Sequence, residues 1–133
     1  MAYADRFRLS AHAVVVNAEQ HVLQLRATYG DKRWGLPGGA LEPGETPDIA
    51  LRRECSEELG VAIKLGPLTG VYYHATHESQ VFIFRADLPA TPLMLSPEHS
   101  ELNYFPVAAL SAVQRIRVED CMSYDGRVRF KRF

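Results

Sequence analysis

The sequence predicts a single α+β domain, residues 1–133, in which helices pack against a mixed β-sheet. Three observations favour this class. Short runs rich in valine and leucine are typical of strands, and two other segments carry helical spacing and helix-end residues. No repeat, low-complexity tract or Gly/Ser linker divides the 133 residues. A chain of this length suits one domain that buries roughly two thirds of the surface of its unfolded state.

The N-terminal part of the chain predicts two strands followed by a long loop. Residues 11–16 and 21–26 have the composition of strands, and the polar link 17–20 between them indicates a hairpin. Residues 27–43 are rich in glycine and contain two prolines, so we expect a loop with demanding backbone angles.

A helix over residues 47–59 has well-marked ends. Thr46 suits the N-cap and Pro47 the first helical position, where the missing N–H costs nothing. Gly60 suits the left-handed position just past the last turn. Local signals alone therefore define this helix.

The C-terminal half predicts more strands and a second helix. Because its tail alternates charged and apolar residues, we expect that tail to be an edge strand protected by charge. In order, the predictions are strands at 61–65, 68–75 and 81–86, a loop at 88–98, a short apolar segment at 104–107, a helix at 108–120 and the edge strand at 127–131.

Composition narrows the classes of function. The chain has 16 acidic and 15 basic residues, a net charge of −1 and 47% apolar residues. This balance excludes a disordered chain and a protein that binds nucleic acid through overall positive charge. No apolar run approaches the ~20 residues of a membrane-spanning helix, and charges near the N-terminus argue against a signal peptide. The missing apolar run also leads us to expect no membrane partner. Since Cys55 and Cys121 are too few for a disulfide scaffold, we expect a cytoplasmic location.

Three acidic residues share one face of the predicted helix. Glu54, Glu57 and Glu58 stand at i, i+3 and i+4, where like charges repel by a few tenths of a kcal/mol per pair. A hard divalent cation such as Mg²⁺ or Mn²⁺ prefers carboxylate oxygens and would offset this repulsion. The alternative is a solvated acidic face, in which Arg53, four residues before Glu57, relieves part of the strain.

A glycine-rich segment leads into this helix. In Trp34-Gly35-Leu36-Pro37-Gly38-Gly39, the paired glycines allow a ligand to approach the backbone closely. Exposed amides and carbonyls beside an acidic face are suited to phosphate and a metal ion. The combination favours metal-assisted phosphoryl chemistry over the solvated face.

The spacing of these residues resembles the 23-residue box of the Nudix hydrolases, the MutT-like family. Gly39 is followed after five residues by Glu45, and after seven more by Arg53-Glu54-Cys55-Ser56-Glu57-Glu58-Leu59-Gly60-Val61. Every fixed position of the family pattern is filled except one, where Cys55 replaces the usual large aliphatic residue. Because Cys55 lies on the apolar stripe of the helix, this departure concerns packing.

The resemblance implies a fold, a cofactor and a set of roles. The fold is a three-layer α/β/α sandwich around a mixed sheet, and the cofactor is Mg²⁺ or Mn²⁺. The metal ligands would be Glu57, Glu58, the Gly39 carbonyl and, unless it is the general base, Glu54. Arg53 would pair with Glu45 to hold loop and helix in register, and the Gly38-Gly39 backbone would bind phosphate.

An acid outside the box often completes the site in this family. The candidates are Glu98 and Glu101, which we expect in the loop before Tyr104; Glu101 matches the position better. Histidines near the ends of predicted strands are weaker candidates for contacting substrate. They are His74, His77 and His99.

The implied reaction is attack by water on a diphosphate linkage in a nucleoside diphosphate derivative, of the (d)NTP or nucleotide-sugar type. Markers of the coenzyme A and NADH subgroups are absent from the sequence, and His77 replaces the proline of many ADP-ribose enzymes. The aromatic residues Tyr29, Trp34, Tyr72 and Tyr73 are suited either to stacking on a base or to the core.

Two alternative functions, one nucleic-acid substrate and one oligomeric state also stay open. A catalytically silent Nudix-like nucleotide-binding or sensor domain would share this box, and a partner-binding domain would use the acids as a charged face. Capped RNA is the one nucleic acid that we retain as a substrate. Homodimers are frequent in the family, so a homodimer is retained as well.

Overall fold

The computed structural model describes residues 3–133; residues 1 and 2, the start of the predicted domain, lie outside the described residues. It contains eight strands and two α-helices, with short 3₁₀ turns at Ala75–His77 and Val107–Ala109. The elements are β1 (Arg8–Val14), β2 (Val22–Ala27), β3 (Trp34–Gly35), β4 (Gly38–Ala40), α1 (Pro47–Leu59), β5 (Lys64–His74), β6 (Ser79–Asp87), β7 (His99–Phe105), α2 (Ala112–Met122) and β8 (Arg129–Arg132).

The strands form two sheets. The larger has five strands in the order β4-β1-β6-β5-β8, and the smaller has three in the order β3-β2-β7. In the larger sheet β1 pairs with β6 and β5 pairs with β8 in parallel, while its other pairs are antiparallel. The larger sheet is therefore mixed, as predicted.

The two helices cover opposite faces of the larger sheet. Leu51 and Cys55 of α1 pack in one apolar cluster with Ala13 of β1. The neighbouring residue of β1, Val14, packs in the other cluster with Val118 of α2. Because successive strand residues point to opposite faces, the helices form the outer layers, and the predicted α/β/α sandwich is confirmed.

Helix α1 has the predicted bounds. Gly60 adopts φ +70° and its N–H donates to the Ser56 carbonyl, as a left-handed C-terminal cap should. Thr46 occupies the N-cap position, but its hydroxyl donates to Asp48 instead of capping the backbone. The second helix begins at Ala112 and not at residue 108, because 107–109 form a 3₁₀ turn and the Ser111 hydroxyl accepts from Gln114 N–H.

The predicted hairpin forms only next to its turn. Leu23 N–H donates to the Val15 carbonyl at 2.9 Å and Val16 bridges to Val22, after which β1 and β2 diverge into different sheets. The predicted loop 27–43 contains the short strands β3 and β4. Both differences arise from pairing with strands distant in sequence.

Two further boundaries differ from the prediction. The separate strands at 61–65 and 68–75 are one strand, β5, whose pairing with β6 is irregular around Gly66-Pro67. Strand β7 extends from His99, so Glu101 lies in a strand and the prediction that it lies in a loop is wrong. The charged tail forms β8, an outer strand of the larger sheet, as predicted. Neither helix within residues 3–133 is long and apolar enough to cross a membrane.

Candidate functional site

Strand β4 places the glycine pair against helix α1. Gly38 and Gly39 pair with His12 and Ala11 of β1, which fixes them over the face of α1 that carries the acids. A Cβ on Gly38 would lie 2.1 Å from the Ala11 carbonyl oxygen, at φ +133°. A Cβ on Gly39 would lie 2.7 Å from Cδ of Glu54. At Gly38 only glycine fits, because the obstacle is backbone, whereas at Gly39 a side chain would displace the Glu54 carboxyl.

The Arg53 guanidinium joins the loop to the helix. Its Nε and Nη2 donate to the two carboxylate oxygens of Glu45 at 2.7 and 3.0 Å, and Nη2 also donates to the Ala40 carbonyl at 3.1 Å. Its Nη1 lies 3.1 Å from Glu54 and 3.3 Å from Glu57. The Arg53–Glu45 pair implied by the family resemblance is therefore present, although its part in catalysis stays a prediction.

These contacts shift the pKa values of Glu45 and Arg53 in opposite directions, and both shifts favour the charged form. Hydrogen bonds from Arg53 lower the pKa of Glu45 below its usual value. Hydrogen bonds to Glu45 are the first cause that raises the pKa of Arg53. Both groups thus remain charged, and a charged bidentate pair has a defined geometry.

Glu58 is the most buried of the three acids on the acidic face of α1. Only 8% of its side chain is exposed, and its Oε1 accepts from Gly38 N–H at 2.8 Å. Burial raises its pKa to about 8, with further contributions from the charges of Glu54, Glu98 and Glu57. The carboxyl is costly to ionise without a cation nearby.

The other two acids of the helix differ in exposure. Burial is also the main cause that raises the pKa of Glu54, with Glu57 and Glu98 adding to it. The Glu57 side chain is 58% exposed and turned towards Arg53. Carboxyl groups that are costly to ionise are therefore concentrated where α1 meets the glycine pair.

The donor set fits a hard divalent ion in its chemistry. It offers the carboxylates of Glu54, Glu57 and Glu58 beside the backbone of Gly39, and oxygen donors are what Mg²⁺ and Mn²⁺ prefer. Between residues 3 and 133, no three His, Cys, Asp or Glu side chains already converge on one metal position. Glu57 contacts Arg53 and Glu58 contacts Gly38 instead, so binding an ion requires rotation of these side chains.

The two acids outside the helix lie in different surroundings. Glu101 is opposite Arg26 in the pairing of β7 with β2, and their side chains approach to 3.8 Å. Glu98 precedes β7, where its carbonyl accepts from Thr28 N–H, and its charge raises the pKa of both Glu54 and Glu58. Sequence position favoured Glu101 as the acid that completes the site, whereas in the structure it is the charge of Glu98 that acts on Glu54 and Glu58.

A cavity of ≈ 290 Å³ opens beside Glu58 and reaches His12 and His99. His99 Nε2 lies 3.6 Å from Glu58 Oε2. His12 lies on β1, and burial lowers its pKa to about 4, so its imidazole is neutral. His12 was missed in the sequence because it sits inside a run that reads as a plain strand.

A larger cleft of ≈ 740 Å³ lies between α2 and strands β2 and β5. Trp34 lines both this cleft and the smaller cavity, and its ring packs edge-on against Phe105 at 4.9 Å. His74 and His77 line the cleft as well, together with Gln24 and Arg117, which sequence reasoning missed.

The remaining aromatic candidates divide between surface and core. Tyr29 is exposed and lines the smaller cavity. Tyr72 is fully buried, stacks on Phe133 at 5.9 Å and donates to Asp120, so it belongs to the core. Tyr73 packs edge-on against Phe7 at 6.3 Å.

Comparison with known proteins agrees with this geometry. The family model of the NUDIX domain matches residues 6–121. A MutT-like protein from Streptomyces ambofaciens is 38% identical over 77 residues, which cover 58% of this chain and 49% of that protein. Diphosphoinositol polyphosphate phosphohydrolase 3-alpha from Mus musculus is 43% identical over 68 residues, which cover 49% of this chain and 42% of that protein. The chain spans about half the length of these curated relatives or less.

The fold agrees with the sequence match. An ADP-ribose pyrophosphatase from Streptococcus suis superposes with a TM-score of 0.76 at 14% identity, covering 96% of this chain and 100% of that one. That likeness concerns the fold, while the family model covers most of the chain, including the glycine pair and all of α1. The chain therefore belongs to the Nudix hydrolase family.

Proposed function

We propose that the protein is a metal-dependent pyrophosphohydrolase that cleaves a diphosphate linkage in a nucleoside diphosphate derivative. The observation that carries this proposal is the acidic face of α1, held against the glycine pair by Arg53 and Glu45. Nudix hydrolases generally use divalent metal ions. Because the donors here are carboxylate and carbonyl oxygens, we propose Mg²⁺ or Mn²⁺.

The proposed ligands are Glu57, Glu58 and the Gly39 carbonyl, with Glu54 beside them. When bound, the ion would neutralise phosphate charge and make the attacking water more acidic. The raised pKa of Glu58 supports its assignment, since a nearby cation favours the ionised carboxylate that burial disfavours. Arg53, which contacts both Glu54 and Glu57, would keep these carboxylates oriented.

The general base is proposed among two carboxylates. Glu54 is supported by its half-buried position against Gly39 and by burial, which raises its pKa and so makes its carboxylate more basic. Glu98 is supported by its charge, which acts on Glu54 and Glu58. Glu101 has less support, because its carboxylate faces Arg26.

Similar proteins differ in their substrates: their names describe a diphosphoinositol polyphosphate phosphohydrolase, an RNA pyrophosphohydrolase and an ADP-ribose pyrophosphatase. Because two of these three are named for nucleotide compounds, we propose a small-molecule nucleotide substrate. The scissile diphosphate of the substrate would lie at the acidic face. The rest of the substrate would lie in the larger cleft beside Trp34, because the volume of that cleft is in the range of ligand sites.

A product-resolved screen tests the proposal. The panel contains (d)NTPs, nucleotide sugars, dinucleoside polyphosphates and capped RNA, each incubated with Mg²⁺ or Mn²⁺ and with EDTA. We expect cleavage of at least one member that EDTA abolishes. Tight binding without turnover would favour a silent binding domain, and neither binding nor turnover across the panel would contradict the proposal.

A further inference from the structure

The cleft between α2 and strands β2 and β5 contains a buried positive charge that the proposed chemistry does not use. Arg117 lines this cleft and is only 8% exposed. Its Nη2 contacts His74 Nε2, and its Nη1 lies 3.5 Å from Gln114 Oε1. Among residues 3–133, its Nε finds no hydrogen-bond partner.

No carboxylate neutralises this guanidinium within the part of the chain that the structure describes. Burial lowers the pKa of Arg117 to about 10, so the group is still charged at neutral pH. His74 does not compensate it, because burial and the charge of Arg117 lower the pKa of that imidazole. Buried charges in proteins are normally paired, since an unpaired one carries a large desolvation cost.

Gln24 provides a second buried donor in the same cleft. Gln24 is on β2 and is 4% exposed, and its Nε2 has no hydrogen-bond partner in the described part of the chain. The cleft and the cavity at Glu58 have Arg33 and Trp34 in common as lining residues. The cleft that holds Gln24 and Arg117 therefore adjoins the cavity at Glu58.

We propose that this cleft binds a second phosphate group of the substrate, one outside the scissile diphosphate, through Arg117 and Gln24. The proposal rests on the proposed function and narrows its substrate class to derivatives that carry a further phosphate outside the scissile diphosphate. A neutral carbonyl would satisfy Gln24 but would leave the charge of Arg117 unpaired. A phosphate accepts from both donors and supplies the missing negative charge.

Binding in EDTA separates this proposal from catalysis. Three pairs of probes differ by one phosphate: adenosine 3′,5′-bisphosphate and adenosine 2′,5′-bisphosphate against AMP, and fructose 1,6-bisphosphate against fructose 6-phosphate. Titration calorimetry is done with the wild type and with Arg117→Met, Arg117→Lys and Gln24→Leu. Arg115→Met is the matched control, because Arg115 is on the same helix, is exposed and contacts Glu119 outside the cleft.

We expect the wild type to bind at least one bisphosphate about 10- to 100-fold more tightly than its partner, the range of a hydrogen-bonded charge pair. Arg117→Met should reduce that ratio to near one, Gln24→Leu should reduce it less, and Arg117→Lys and Arg115→Met should retain most of it. Equal binding within all three pairs, or a preference that Arg117→Met leaves intact, would overturn the proposal.

The outcome is distinguishable from failure of the proposed function. A preference that depends on Arg117, in a protein that cleaves nothing with Mg²⁺, would support the phosphate site and contradict the hydrolase. Hydrolysis by a protein that shows no preference for the bisphosphates would support the hydrolase and contradict the phosphate site. Circular dichroism of Arg117→Met and Arg117→Lys verifies that both variants are folded, and Arg117→Lys restores the charge in the same position.

Discussion

One methyl group at Gly39 should disable catalysis while leaving the fold intact. Its Cβ would lie 2.7, 2.8 and 2.9 Å from Cδ and the two carboxylate oxygens of Glu54. Contacts shorter than 3.4 Å are uncommon for real Cβ atoms, so the carboxyl group must move by about 0.7 Å or more. A misplacement of about 1 Å near reacting groups costs on the order of 10²-fold in rate.

We therefore expect Gly39→Ala to lower kcat about 10- to 100-fold, with a smaller change in KM. The assay is steady-state hydrolysis of the best panel substrate at saturating Mg²⁺. Gly35→Ala is the matched control, because a Cβ there would meet no atom of the described residues, 3–133, within 4 Å. Gly39 does not occupy the left-handed region, so the thermal midpoint should change little.

The reasoning would be refuted if Gly39→Ala kept kcat within threefold of the wild type, or if Gly35→Ala lost as much. Gly38→Ala provides the contrast, since its Cβ would collide with a backbone oxygen at 2.1 Å and its φ is +133°. That variant should lose stability as well as activity.

Three other predictions concern charge. Because burial raises the folded-state pKa of Glu58 to about 8, above its ordinary 4.5, the stability that this group contributes is lost as the pH rises towards 8. His12, whose pKa is lowered to about 4, has the opposite effect below pH 6.5, so the wild type is compared with Glu58→Gln. In EDTA, urea denaturation should show that the free energy of unfolding of the wild type, minus that of Glu58→Gln, falls between pH 5 and pH 8 by up to about 1.4 kcal/mol per pH unit. A difference that is constant over that range would contradict this burial. Arg53→Lys replaces a bidentate contact by a point charge and should weaken Mg²⁺ binding about 10- to 100-fold in calorimetry, whereas Arg52→Lys on the same helix should not. Arg117→Met removes an unpaired buried charge, so the urea midpoint should stay the same or rise; a clear fall would indicate that contacts with neighbouring side chains stabilise the fold.

Local signals were sufficient for helix α1 and for its acidic face. Pro47 at the first position and Gly60 beyond the last are determined by the backbone of the helix itself, and the bounds agree with the structure. The i, i+3, i+4 spacing similarly predicted that Glu54 and Glu58 share a surface, and both adjoin the glycine pair.

Long-range pairing explains what the sequence did not predict. The divergence of β1 and β2, and the continuity of β5 across Gly66-Pro67, depend on partner strands far away in the chain. The different surroundings of Glu98 and Glu101 follow from the pairing of β7 with β2, which no short motif encodes. Arg117 had no local signal at all, because its unusual environment arises only when α2 packs over β5.

The acidic face of α1 is proposed to hold the divalent ion on which hydrolysis depends. The most direct measurement is the rate of diphosphate cleavage as a function of Mg²⁺ concentration, for the wild type, Glu57→Gln and Glu119→Gln. Glu119 is an exposed acid of α2 that contacts Arg115, so it controls for loss of one negative charge. We predict that Glu57→Gln lowers the rate at saturating Mg²⁺ by about 10²- to 10³-fold, while Glu119→Gln retains wild-type behaviour. Cleavage that persists in EDTA, or a Glu57→Gln protein with the wild-type Mg²⁺ dependence, would contradict the claim.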